Sequence, residues 1–217
     1  MIFNLRPLRL LVSKNRFINL TEQDNPPAMK TITLLLALFV IIALPASGQN
    51  PLAVGDKAPL FKAKTDSSTE WDLKRHLGKK YIVVYFYPAA MTGGCTKQAC
   101  SYRDRREDLA AAGVEVVGIS GDNPDGLKLF REAENLNFTL LSDPDGSIAK
   151  AFGVPVSDGG AIKRTVAGLE HELKRGVTAK RWTFVIGKDK KIIYRNDAVN
   201  AEKDTGEVLA FIKAQKQ

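Results

Sequence analysis

The chain has 217 residues, 44% of them hydrophobic, and a formal net charge of +8. This length and apolar content suit one ordinary domain with some chain to spare, and they exclude a disordered polymer. Residues 1–48 hold five Lys/Arg and two acids, so +3 lies there and +5 is spread over the rest without a basic block; nucleic-acid binding is therefore not expected.

In chain order, the first signal is "MKTITLLLALFVIIALPASGQ", which begins at Met29. Lys30 supplies a positive start, Ile32 to Leu44 an apolar run of 13 residues, and Pro45 a break. Ala46, Ser47 and Gly48 are small enough for a signal peptidase, so cleavage before Gln49 is expected. Thirteen residues fall short of the ~20 that a spanning helix needs, so no stable membrane span is expected after cleavage. Residues 1–28 make a poor leader, and Asp24-Asn25-Pro26-Pro27 would not continue a helix, so Met29 is read as the biological start. The chain thus divides into an extension with a signal peptide, residues 1–48, and a domain, residues 49–217. An exported, periplasmic or secreted protein is expected, with a form anchored by a retained leader as the lesser alternative.

Within the domain, Thr65-Asp66-Ser67-Ser68 lies between short apolar stretches and predicts a hairpin. Tyr81 to Tyr87 is continuous, β-branched and aromatic, as in a strand covered on both faces. Pro88 ends it. Residues 95–113 read as one helix closing at Gly113, with Tyr102 and the charges from Arg103 to Asp108 on a solvated face. A buried strand at Val114 to Ser120 follows, then a helix within Asp122 to Asn135, a strand at Phe138 to Asp143, and a short helix ending at Gly153. Arg181 to Gly187 and Lys191 to Arg195 flank a turn and predict an antiparallel pair. Residues 203–215 close the chain as a helix. Alternating elements predict an α/β fold with helices on both faces of a sheet. Pro155 to Ala179 is long and polar for a connection; such segments are functional or form a hairpin of their own.

Cys95 and Cys100 are the only cysteines. Cys95 follows Thr92-Gly93-Gly94 and falls in the first turn of the predicted helix. Unpaired N–H groups there carry partial positive charge and favour an anion such as a thiolate. In an exported protein a structural staple is the plain alternative. In one regular helix, however, residues five apart have Cα atoms about 8.7 Å from each other, beyond the ~6.8 Å that disulfides reach. Either these residues are not helical, or the bond forms only when the turn unwinds. So short a loop gains little from a permanent bond, which favours redox chemistry.

"YFYPAAMTGGCTKQACSYRD" (85–104), "VVGIS", "FTLLSD" and "RWTFVIGKDKKII" in that order resemble a peroxiredoxin of the bacterioferritin comigratory protein, or peroxiredoxin Q, group. The resemblance covers about residues 52–215 and centres on Pro88, Thr92 and Cys95 in a Pro-x-x-x-Thr-x-x-Cys pattern with a later strand Arg. It implies a thioredoxin-like fold, a central mixed sheet flanked by helices. It also implies the peroxidatic role for Cys95, whose thiolate would attack a hydroperoxide and become a sulfenic acid. Thr92 would orient thiolate and peroxide, Pro88 would shield the site, and Arg181 would hold both reactants by charge-assisted hydrogen bonds. Cys100 would resolve the sulfenic acid as an intramolecular disulfide, which a thioredoxin-like reductant would open. No cofactor or metal is implied, and a monomer is expected. The chain departs from the group at Gly93, where Pro is common, at Leu60, where Asp is usual, and in the longer 155–179 segment. Two other functions compete. A protein disulfide oxidoreductase normally uses Cys-x-x-Cys, whereas four residues separate these thiols. A copper carrier uses a closer pair and a distant His, for which His171 is the candidate.

Overall fold

A computed structural model describes residues 52–215. The signal-like segment, the start at Met29 and the boundary near residue 49 lie outside the described residues. Strand β1 (Lys62–Thr65) and β2 (Glu70–Asp72) form the hairpin expected around Asp66, and a 3₁₀ turn follows at Leu73–Arg75. Then come β3 (Tyr81–Phe86), α1 (Gly93–Asp104), α2 (Arg106–Ala111), β4 (Val114–Ser120), α3 (Pro124–Glu134), β5 (Thr139–Ser142) and α4 (Ser147–Ala151). The chain continues with β6 (Val156–Val166), β7 (Leu169–Ala179), β8 (Trp182–Ile186), β9 (Ile192–Asn196) and α5 (Asp204–Ala214).

Seven strands form one mixed sheet in the order β2-β1-β5-β4-β3-β8-β9, with β3 parallel to β4 and antiparallel to β8. The apolar run that builds β3 alternates between the two faces, as a pleated strand must. Ile82, Val84 and Phe86 join Trp71, Leu73, Phe152 and Phe184 in one core layer. Val83, Tyr85 and Tyr87 join the other, against α1, α3 and α5 through Ala99, Leu127, Phe130 and Ile212. All five residues from Ile82 to Phe86 are fully buried. Fixed on both sides, β3 gives a rigid base for the loop that leaves its C-terminal end.

The single helix expected over 95–113 is two. Arg105 leaves helical geometry at φ −101°, ψ 21°, and separates α1 from α2. The cause is distant in sequence. The carbonyl of Arg103 accepts a hydrogen bond from Asn137 Nδ2 at 3.1 Å, and the Arg103 guanidinium donates to the carbonyl of Glu134. These contacts fasten the end of α1 to the last residue of α3 and to the segment that follows it. Tyr102, expected on a solvated face, is instead 1% exposed and stacks on Tyr85 with ring centroids 5.0 Å apart.

Residues 155–179 form a long ribbon, β6 paired to β7 as a two-stranded sheet of its own. Ala167 and Gly168 turn it with φ of 49° and 82°, the positive pair that a two-residue hairpin turn requires. At its base, Gly176 N donates to Gly121 O at 3.0 Å, and Leu173 is buried among the residues of the α3 side. The backbones meet so closely that a Cβ on Gly121 would lie 2.1 Å from Val177 O. Gly121→Ala is therefore expected to destabilise the domain by about 1–3 kcal/mol, the usual cost of overpacking, seen as a lower denaturant midpoint. Gly93→Ala, whose Cβ would enter open space, is expected to keep or raise that midpoint.

Candidate active site

The sheet delivers Pro88, Thr92 and Cys95 together because β3 ends where they begin. Tyr87 N still bonds to Ile119 O at 3.1 Å, after which Pro88 removes a donor and the chain turns away. Ala90 N donates to Asp122 Oδ2 at 2.8 Å, and the same oxygen accepts from Ser120 Oγ at 2.8 Å. Burial raises the Asp122 carboxyl above its ordinary range, and the bonds from Ala90 and Ser120 oppose that rise. Met91 sits at φ +56°, and its carbonyl accepts from Arg164 Nε at 2.8 Å. The ribbon thus holds the loop at a residue whose backbone is otherwise unfavourable by about 1–2 kcal/mol.

Thr92 is the N-cap of α1, yet its hydroxyl donates to Ala89 O at 2.9 Å and caps no helix N–H. Cys95 is the third helical residue, so its own N–H is among those a helix leaves unpaired. Its side chain is 1% exposed. Arg181 Nη2 donates to Cys95 Sγ at 3.2 Å, and Nη1 donates to Gln98 Oε1 at 2.6 Å. Gly94 leaves room for this: a Cβ there would stand 3.3 Å from Arg181 Nη2. Arg181 immediately precedes β8 rather than lying in a strand, and Trp182 faces the opposite core layer, as alternation expects.

Cys100 lies five residues on in the same helix and looks elsewhere. Its thiol donates to Glu134 Oε2 at 3.6 Å, and it is partly exposed in a groove lined by Lys97, Ser101, Asp104, Arg105 and Glu202. Both cysteines are free. Burial pushes the Cys100 thiol up; Arg103 opposes this, and the Glu134 carboxylate adds to it.

Behind Arg181 is a network that sequence reasoning missed. Gln98 is fully buried and passes from Arg181 to Asp204, its Nε2 donating to Asp204 Oδ2 at 2.7 Å. The same oxygen accepts from Tyr102 OH at 2.8 Å and Thr183 Oγ1 at 2.9 Å. Gln98 lies one helical turn after Cys95, a spacing that could have marked it. Asp204, in the last helix, carried no such signal. Pro88 is half-buried at the mouth of the loop. His76 stacks on Trp71 and pairs with Glu115 at 2.8 Å, away from this site.

The sequence profile of the AhpC/TSA family matches residues 54–195. The chain is 39% identical over 164 residues to peroxiredoxin Bcp of Escherichia coli, covering 76% of this chain and 97% of that one. It is 41% identical over 150 residues to a putative peroxiredoxin of Mycobacterium tuberculosis, covering 69% and 88%. Among solved structures it resembles peroxidoxin BcpB of Mycobacterium tuberculosis at TM-score 0.63 and 32% identity, over 75% of this chain and 97% of that one. The likeness shows the thioredoxin-like fold.

The surroundings of Cys100 make a pH prediction. In a Cys95→Ser protein, alkylation of Cys100 by iodoacetamide should show its midpoint above that of an ordinary thiol, because burial and Glu134 both disfavour the anion. Glu134→Gln removes the carboxylate charge and should move the midpoint to lower pH. An unmoved midpoint would show that Glu134 exerts no hold on this thiol.

Proposed function

We propose, from the premise that this chain belongs to the AhpC/TSA family and is a peroxiredoxin, that Cys95 is its peroxidatic cysteine and Cys100 its resolving cysteine. The observation that carries the proposal is the buried Sγ of Cys95 in the first turn of α1 with a guanidinium nitrogen 3.2 Å away. The Cys95 thiolate attacks the terminal oxygen of a hydroperoxide. The S–O bond forms as the O–O bond breaks, and the electron pair leaves on the second oxygen, which takes a proton as water or alcohol. Sulfur is oxidised to a sulfenic acid and the peroxide is reduced. Arg181 presents a fixed donor and positive charge where negative charge moves from sulfur to oxygen. The Thr92 hydroxyl, its proton committed to Ala89 O, offers a lone pair to the proton of the peroxide. Pro88 narrows the entrance.

Resolution follows from the helix geometry. In α1 the two Cα atoms stand about 8.7 Å apart, so Cys100 reaches the sulfenic sulfur only after the first turn opens. That turn is weakly held. It begins with Gly93 and Gly94, which lose more backbone freedom on ordering than any other residue. It also lacks the side-chain cap that is worth about 1 kcal/mol elsewhere. The Cys100 thiolate then attacks Cys95 Sγ; the S–S bond forms as the S–O bond breaks, and the departing hydroxide takes the proton that Cys100 gave up and leaves as water. The disulfide lies within one chain, so a monomer suffices. A thioredoxin-like dithiol restores both thiols by exchange. A copper-carrier role is disfavoured because the nearest charged neighbour of Cys95 Sγ is itself a cation.

We place this activity in the exported space, on the strength of residues 29–48, so the reductant must be supplied there. N-terminal sequencing of the protein from fractionated cells should begin at Gln49. An intact segment from Met1 to Ala28 would reject the start at Met29, and recovery of the protein only in the cytoplasmic fraction would reject the export reading.

One equivalent of hydrogen peroxide added to the reduced protein should remove two hydrogens by mass, as the disulfide. Cys95→Ser should abolish turnover. Cys100→Ser should react once, leave a sulfenic acid that a dimedone-type probe captures, and then stall with a thioredoxin-type donor. Normal cycling of Cys100→Ser would overturn the resolving role. Arg181→Ala should slow the peroxide step by more than tenfold.

A further inference from the structure

The buried carboxylate of Asp204 lies behind the site without touching the reacting sulfur. Asp204 is fully buried, and its Oδ2 accepts three hydrogen bonds, from Gln98 Nε2, Tyr102 OH and Thr183 Oγ1. Burial raises the Asp204 carboxyl above its ordinary range, and the bonds from Gln98, Tyr102 and Thr183 oppose that rise; Oδ1 has no partner among the described residues, so all three donors converge on Oδ2 as an acceptor.

The bond from Gln98 has a consequence that the other two lack. A carboxamide has one donating end and one accepting end. With Nε2 on the carboxylate at 2.7 Å, Oε1 must face Arg181, and it accepts from Nη1 at 2.6 Å. A flipped amide would set NH₂ against the guanidinium, donor to donor, and its oxygen against the carboxylate, acceptor to acceptor. The contact to Asp204 is buried and that to Arg181 part-buried, and both would be unsatisfied. The carboxylate therefore sets the polarity of the amide. The amide oxygen in turn holds one nitrogen of the guanidinium, and the rigid fork of Arg brings the other, Nη2, to Cys95 Sγ at 3.2 Å.

We propose that Asp204 is a positioning residue of the peroxidase reaction, holding Arg181 on the Cys95 sulfur through the side chain of Gln98. The proposal rests on the peroxidatic reading of Cys95. It adds a residue from the last helix, more than a hundred positions along the chain, that acts only through others.

The test is a double-mutant cycle on the full chain in a Cys100→Ser background, with two rates measured: sulfenic acid formation with hydrogen peroxide, and Cys95 alkylation with iodoacetamide. Asp204→Ala should slow sulfenic acid formation about tenfold, and Gln98→Leu by a similar factor. Asp204→Asn, which can still present an oxygen to Gln98, should recover most of the loss and lie within about threefold of the parent. In the Gln98→Leu background neither Asp204 substitution should slow the reaction by more than a further twofold. A parental rate for Asp204→Ala, or an Asp204 effect that persists undiminished in the Gln98→Leu protein, overturns the proposal. If Asp204→Ala does not fold, the smaller effect of Asp204→Asn is followed through the same cycle with the same criterion. A parent that alkylates at Cys95 but never reacts with peroxide would instead refute the peroxidatic reading. The iodoacetamide cycle would then still report whether Asp204 acts on the surroundings of that sulfur.

Discussion

A guanidinium held 3.2 Å from a sulfur atom that water hardly reaches is the contact on which the rest of the structure turns. It joins two neighbouring strands of the sheet. β3 supplies the loop and helix that carry the sulfur, and the start of β8 supplies the arginine. Because the two strands pair in register, with Phe86 opposite Trp182, the ends that carry loop and arginine lie side by side at one end of two interior strands. The apolar run of β3 thus serves chemistry indirectly, by making that end rigid.

The two halves of α1 are held unequally. Its first turn has two glycines and no side-chain cap, while the rest of the helix is fixed by Gln98 and Tyr102 to Asp204 and by Cys100 and Arg103 to Glu134 at the end of α3. A helix secured at one end and loose at the other opens from the loose end. Glycine at 93 removes one further constraint on that end. The β6–β7 ribbon acts on the other side of the same loop, where Arg164 grips the carbonyl of Met91.

Much of the fold was legible in the sequence because its signals are local. The continuous apolar strands, the glycines at 113 and 153 with φ near +70°, and the proline in the first turn of α3 all report on their own neighbourhoods. The features that were missed are long-range. Nothing near Arg105 announces a break, which follows from Asn137 taking a carbonyl of α1. Tyr102 stands beside a run of charges and looked solvent-facing, but the ring of Tyr85 and the carboxylate of Asp204 take it inside. Cys95 stands out by itself, as one of two thiols and at the start of a helix. Thr92, Pro88 and Arg181 are named only through a family resemblance. Asp204 had neither advantage: it is a single acidic residue at the start of a helix, where such residues are commonplace.

The position of Asp204 also bears on the order in which the molecule is built. Its three donors come from residues 98, 102 and 183, all synthesised before it. On the ribosome, the sheet and its arginine are made while the oxygen that Gln98 will bind does not yet exist. A nascent chain that stops short of residue 204 therefore carries both thiols without the finished polar scaffold beneath them, and that scaffold is completed only when translation passes α5 and this helix docks.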